Sequence, residues 1–540
     1  MSDRSVSNDR PSWLRRLRVP LITFAVPLAL LVALLLNEQF ELSADATMPL
    51  FMGTSIAIEL GIVVVAVWFL FFSGFRIWTK LAGVLVVALL VAAVYGIPRR
   101  WEFTGKMMPI PIFRWQPDLQ DQLKQRLAQR SGEVPTLVLA DLTIGPDDFP
   151  RYRGVHADGV APSLSVPTNW AQNPTREVWR TPVGWSYSGI AVAGKVAVTL
   201  EQREDDEAVV CYDRDTGKEL WSYSYPALFK QARPMGGNGP RATPTIADGD
   251  VYSLGAMGDL VCLDGTNGKK RWAINIVNDN GAKVVQWGMT SSPLIVGDLV
   301  VVNAGINPDD NQKKAVVAYE RKGGKKRWAE GEHLAGYSSP MLVKLGGFEQ
   351  IVLFDVGGVA GIDPADGKEL WRYPWKTWED MNIIQPLILP GDRVFISSQK
   401  ANGCALLQVK QSASGSSVEP LWTKTKRTMA CLFANPVYHD GHIYGLTDGV
   451  LCSIKAANGE RNWMGERAGS GQLILTGNTL LVQTEGTGEI IAVAADPAEY
   501  RELGRVKVFQ GSRTWNTPAL AGGRLYLRNH EEMVCLELAR

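Results

Sequence analysis

The chain has 540 residues, 46% of them hydrophobic and 21% charged, with 56 Lys and Arg set against 55 Asp and Glu. That balance excludes a nucleic-acid binder carried by basic excess, and a disordered polyanion. Gly is abundant at 53 and Trp at 18, while 5 His leave little material for a multi-histidine metal centre.

Three apolar runs open the chain, at residues 19–36, 50–72 and 81–97, and only Glu59 interrupts them. A membrane-spanning helix needs about 20 mainly apolar residues. Residues 1–98 are therefore expected to form a three-span membrane anchor, with the lipid bilayer as one partner. Arg4, Arg10, Arg15, Arg16 and Arg18 precede the first run, and Glu38, Glu41 and Asp45 follow it. Arg76 and Lys80 separate the second run from the third. The positive-inside rule then places the N-terminus in the cytoplasm and the bulk of the chain on the periplasmic or outer side of the inner membrane. Glu59 is a functional candidate if it lies in hydrocarbon, and an interfacial residue if the span begins near Leu60.

Residues 99–175 read as a tether. Within it, 117–130 predicts a short amphipathic helix, with Leu119, Leu123 and Leu127 on one face and Pro117 at its start. The polar face carries both signs, which predicts a solvent-facing spacer.

A repeat governs the remainder. The phrase DRDTGKELW, ending at Trp221, returns as DGTNGKKRW at Trp272 and ERKGGKKRW at Trp328. It returns again as DPADGKELW at Trp371 and KAANGERNW at Trp463, with a degenerate copy at Trp422. Between these lie eight copies of a second phrase: an apolar strand, a DG, GD, GN or GG turn, then another apolar strand. Residues 176–540 give about 46 residues per repeat, the size of a four-stranded propeller blade. The eighth copy reaches the C-terminus without its Trp strand, and EVWRTP at Trp179 supplies one from the other end. The expected fold is thus all-β, an eight-bladed β-propeller closed by the strand around Trp179. Its blade tryptophans, Trp179, Trp221, Trp272, Trp328, Trp371, Trp422 and Trp463, would wedge against neighbouring blades.

The repeated D-x-x-T-G-K-x-x-W phrase resembles the quinoprotein-type (PQQ-like) eight-bladed propeller family over about residues 176–540. The segments GPRATPT, TWNTPALAGGRLYLRN and YHDGHIYGL resemble a bacterial branch of PQQ-like repeat proteins. The compact blades resemble the barrel-assembly (BamB-like) propellers. In the dehydrogenases of the wider family, pyrroloquinoline quinone stacks on a Trp and meets a calcium held by Glu, Asn and Asp, often beneath a ring of two adjacent Cys. This chain has no adjacent Cys pair.

Cys211, Cys262, Cys452 and Cys535 occupy one register in four blades, which suits small buried residues better than bridges. Cys404 and Cys431 lie outside that register, and a bridge between them stays open. His439 and His442 flank a hairpin turn without a third ligand, so no metal site is expected. The loops leading into the innermost strands converge on one face and nominate a ligand or partner rim. Its residues are Trp185, Tyr187, Arg241, Trp287, Thr290, Tyr337, Asn382, Gln385, Asn435, Gln472, Trp515 and Asn516. The same Ser, Thr and Asn side chains could instead satisfy strand ends. No catalytic residue is nominated and no cofactor is expected. The resulting expectation is a non-catalytic scaffold or ligand-binding propeller with an envelope protein partner and no nucleic acid. A quinone-and-calcium dehydrogenase acting on an alcohol or sugar is the alternative.

Overall fold

The computed structural model describes residues 23, 25, 27–33, 44–103, 109–116, 118–129, 136–161, 166–167, 170, 172–230, 237–309, 313–398, 403–413, 415–425, 428–510 and 513–538. The chain divides into two compact units, Met1–Pro117 and Asp118–Arg540.

The first unit contains the helices Ala44–Val67 and Ile77–Gly96, and an antiparallel pair of strands, Pro98–Phe103 and Pro109–Phe113. Among the described residues no helix is long and apolar enough to cross a membrane. The expected multi-pass inner-membrane placement is therefore overturned, and with it the orientation drawn from the loops. The apolar runs and the helices differ in their bounds. Ala44–Val67 begins six residues before the second run and takes in Asp45 and Glu59. Its α-helical hydrogen bonding gives way to a π turn at Trp68–Phe72 before that run ends. Ile77–Gly96 takes in Lys80. Half of the first run, and the five arginines before it, lie outside the described residues.

The second unit is an eight-bladed propeller. Blade 1 is built from Ala191–Ala193, Val196–Arg203, Asp206–Asp213 and Glu219–Pro226, in that order from axis to rim. Blades 2 to 7 repeat this antiparallel meander, starting at Thr245–Ala247, Leu294–Val296, Met341–Leu345, Leu387–Leu389, Val437–His439 and Gln472–Thr476. Blade 8 takes Ala519–Ala521, Arg524–Arg528 and Glu532–Glu537 from the C-terminal end and Arg176–Pro182 from far upstream. Cys535 faces Trp179 in that last pairing, so the ring closes through the strand expected from sequence. Closure completes blade 8 as a four-stranded sheet, so that only the outer strand of each blade remains as a sheet edge at the rim.

The repeated phrase has a local cause. Asp213 opens a turn, its carboxylate accepting the Asp215 and Thr216 N–H groups at 3.0 and 2.8 Å. Gly217 follows at φ 67°, a conformation costly for any residue with a Cβ. Its second role is steric. A Cβ on Gly217 would lie 2.7 Å from the Trp179 indole, and one on Gly268 would lie 2.5 Å from that of Trp221. In these blades the indole thus rests on the turn glycine of the next. Its N–H donates into that turn: Trp179 to the Arg214 carbonyl at 3.0 Å, Trp221 to Gly265 at 2.8 Å and Trp272 to Arg321 at 2.7 Å.

Opposite the Trp on the neighbouring strand stands a small residue: Cys211 beside Trp221, Cys262 beside Trp272, Ala318 beside Trp328 and Gly361 beside Trp371. That cross-strand volume match accounts for most of the cysteine register. All six cysteines are free and buried, Cys404 and Cys431 included.

The stretch between helix and propeller packs against the ring. The helix is Leu119–Ala128, capped by the Asp118 carboxylate on the Gln120 and Asp121 N–H groups. Leu123 is buried, Gln120 donates to the Val183 carbonyl at 3.1 Å, and Arg126 donates to the Thr181 hydroxyl. The helix therefore clasps the closing strand rather than lying free in solvent.

Residues 137–161 form a strap that enters the axis. Phe149 pairs with Val192 of blade 1, and the Pro150 carbonyl accepts the Ile246 N–H of blade 2 at 2.9 Å. Arg153, 2% exposed, donates to the Pro436 carbonyl of blade 6 at 2.6 Å. Val160–Ala161 then adds in parallel to the innermost strand of blade 7.

Candidate functional site

Four strands per blade fix two faces. The inner hairpins and the TGK-type turns open on one. The leading loops and the connections between second and third strands open on the other, called here the loop face. The residue that ends each leading loop usually precedes a proline, which holds it in extended backbone. These residues join blade to blade in a closed circle. The Gly189 N–H donates to Thr243 Oγ1 at 3.1 Å, Thr243 N–H to Ser292 Oγ at 2.9 Å, and Ser292 N–H to Ser339 Oγ at 2.9 Å. Gln385 reaches back to the Ser339 carbonyl at 3.2 Å, while its N–H donates to Asn435 Oδ1 at 2.6 Å. Gln472 donates to the Phe433 and Trp515 carbonyls at 3.1 and 2.9 Å. Asn516 closes the circle on Ser186 and Ser188 at 3.2 and 2.8 Å.

Gln385, Asn435, Gln472 and Asn516 are thus buried ring members. Thr290 donates to the Tyr337 carbonyl at 2.8 Å, and Asn382 to the Asp355 carbonyl at 2.6 Å. From the axis the strap's Tyr152 hydroxyl accepts the Asn435 amide at 2.7 Å. The nominated polar side chains therefore hold neighbouring loops, and the axis is occupied by the chain itself.

Among the aromatic and arginine members, Tyr187, Arg241 and Trp515 form a different group, gathered where blades 8, 1 and 2 adjoin. Tyr187 stacks on Trp515 with ring centroids 5.0 Å apart and on His530 at 6.3 Å. Trp515 meets Phe433 at 4.9 Å. The Arg241 guanidinium lies 5.2 Å from the Tyr187 ring and 5.1 Å from Phe229. Arg513 lies 5.8 Å from Tyr187 and 5.7 Å from Trp515. The indole N–H groups are anchored by acids, Trp515 by Glu485 at 2.6 Å and Trp185 by Glu531 at 3.1 Å. Trp185, Arg241, Phe433 and Trp515 are half-buried, and Trp287 and Tyr337 share that state on the same face. Burial pushes Arg241 down to about 10, and the neighbouring Arg513 charge pushes the same way.

The family described as "Outer membrane protein assembly factor BamB" matches residues 170–273 and 206–464, together more than half of the 540 residues. The chain belongs to this family. Among curated proteins none matches it. Solved structures similar to it include BamB from Moraxella catarrhalis, at 13% identity and a TM-score of 0.48, covering 67% of this chain and 97% of that one. The quinohemoprotein alcohol dehydrogenase of Pseudomonas putida HK5 is similar at 12% identity and a TM-score of 0.48, covering 75% of this chain and 83% of that one. A europium-containing methanol dehydrogenase shows 13% identity and a TM-score of 0.43, covering 74% and 100%. Likenesses at this level say nothing of activity.

Within the BamB family propeller of this chain, the donors at the loop face do not suit a quinone with calcium. Calcium needs several hard oxygens turned toward one point. Glu485 instead accepts the Trp515 indole and the Ser470 N–H at 2.6 and 2.8 Å. Glu531 accepts the Trp185 indole, and Glu207 accepts the Ala256 N–H and the Tyr225 hydroxyl, both at 3.0 Å. Each of these carboxylates is engaged in holding the fold.

Arg513, Phe433, His530, Glu485 and Glu531 were not singled out from sequence. Phe433 lies inside a leading loop, and Arg513 stands one residue before another. The remaining three lie on second-to-third-strand connections. A four-strand meander returns those connections to the loop face, so counting strands was the signal that could have found them.

Proposed function

We propose that the propeller is a non-catalytic scaffold that docks a partner protein on its loop face. The observation that carries this reading is the clustering of Tyr187, Phe433 and Trp515 with two arginines on one face. Trp, Tyr and Arg are the residues that dominate binding energy in protein interfaces, above all where several lie together. The family's description as an assembly factor supports a binding role over a catalytic one.

The test uses the full-length protein with a photo-crosslinking residue at Phe433. A partner captured there should form a stoichiometric complex when purified and remixed. Trp287→Ala combined with Trp515→Ala should weaken that complex at least tenfold while the β-sheet circular dichroism is retained. Pyrroloquinoline quinone added with Ca²⁺ should leave no stoichiometric quinone spectrum. Tight quinone binding with dye reduction by an alcohol or sugar would overturn the scaffold reading.

A further inference from the structure

The first unit, Met1–Pro117, turns large apolar side chains outward. On the helix Ala44–Val67 the consecutive residues Ile62, Val63 and Val64 are all exposed, and so are Leu85, Val86 and Val87 on Ile77–Gly96. Successive helical residues point about 100° apart, so three in a row span about 200° of the circumference. A helix that docks in a protein groove buries one apolar stripe and keeps a polar face. Neither helix has that division along these residues, and the surface that can meet apolar side chains on so wide an arc is a fluid one.

The join between the helices adds the chemistry. The π turn Trp68–Phe72 sets the Phe69 ring inward, where a Cβ on Gly83 would lie 2.6 Å from it. Phe71, Phe72 and Trp78 point away, at 73%, 74% and 78% exposed. Ser73 Oγ donates to the Phe69 carbonyl at 2.6 Å and Lys80 Nζ to the Leu70 carbonyl, which holds the aromatic tip in place. The exposed Arg76 stands between Phe72 and Trp78 in the chain, and residues 60–101 contain no Asp or Glu. Aromatic rings and cations without acids are the composition of segments that settle at the headgroup level of anionic membranes. A second copy of the chain would bring the same cations and no acid to the contact, so its charge repels where that of an anionic lipid attracts.

We propose that this tip docks the protein on an anionic lipid surface, with Phe71, Phe72 and Trp78 entering the acyl boundary and Arg76 at the lipid phosphates. Contact of this kind with one leaflet needs no crossing helix.

Flotation of the full-length protein with lipid vesicles tests it. Vesicles of phosphatidylglycerol and phosphatidylcholine should carry the protein upward, and phosphatidylcholine alone should bind it at least about fivefold more weakly. Added salt should shrink that preference. Phe71→Ser combined with Phe72→Ser should weaken binding to both kinds of vesicle at least about tenfold, while the β-sheet circular dichroism of the propeller is retained. Arg76→Gln should remove most of the preference for phosphatidylglycerol, and Arg76→Lys, which keeps the charge, should retain it. Protein that stays at the bottom of both gradients would overturn the proposal, as would equal flotation of the wild type and the double serine variant. A vesicle-free dimer that the double serine variant dissolves, seen by light scattering, would overturn it in favour of a second copy of the chain.

Discussion

Glu207 stands on a central strand of blade 1, its carboxylate accepting the Ala256 N–H of blade 2 and the Tyr225 hydroxyl, both at 3.0 Å. Burial raises it from 4.5 to about 7, against the pull of the Ala256 N–H. A folded value above the unfolded one means that the native state holds the proton more tightly. The stability it contributes is full below about pH 4.5 and is lost as pH rises through about 7, a change of about 3 kcal/mol. Glu207→Gln keeps an oxygen for Ala256 and presents an NH₂ to the Tyr225 oxygen. The thermal midpoint of the wild type is therefore expected to fall relative to Glu207→Gln between pH 5 and pH 7.5. Parallel midpoint profiles for the two proteins would refute the assignment.

Each blade's turn and the preceding blade's indole work as one element. Gly268→Ala adds a methyl 2.5 Å from Trp221 at a residue held at φ 70°, and should cost about 2 kcal/mol or more, read as a lower urea midpoint. Trp221→Phe removes the bond to the Gly265 carbonyl and should cost about 1–2 kcal/mol. Blade 4 breaks the pattern. Blade 5 replaces the TGK-type turn with the long hairpin Gly403–Ser412 and Gly415–Lys424, so no matching turn awaits Trp371. The Trp371 indole donates instead to Gln350 of its own blade at 2.5 Å. The degenerate phrase around Trp422 was visible in the sequence, whereas its effect on Trp371 appears only when blades adjoin.

At the scale of the whole molecule, the strap and the closing strand hold the ring. Arg153 adopts φ 62°, a strained position for a side chain of its kind, and is kept there by the Asp158 and Pro436 carbonyls at 2.7 and 2.6 Å. Arg153→Leu strands both carbonyls and should lower stability by about 2–3 kcal/mol, measured by chemical denaturation. Tyr152→Phe loses one bond to the loop circle and should cost about 1 kcal/mol. The repeat made the blades legible because each blade is a local meander, its hydrogen bonds closing within some 46 residues. The strap was illegible because its anchors lie far away in sequence. The two-residue strand Val160–Ala161 is too short to show a period, and its partner at Gln472–Thr476 stands some 300 residues on.

The loop face divides in the same way. Sequence nominated Gln385, Asn435, Gln472 and Asn516 alongside Trp185, Tyr187, Arg241 and Trp515, because all end or line leading loops. Folding separates them: the amides turn sideways into the circle, and the rings and guanidiniums gather over blades 8, 1 and 2. Eight blades, their turns and the closing strand are legible in the residues alone, since turn chemistry and strand alternation act between near neighbours. That the chain fills its own axis, and that Arg513 joins Arg241 at the Tyr187 ring, emerges with the assembled ring. Those contacts depend on how blades far apart in sequence are brought side by side.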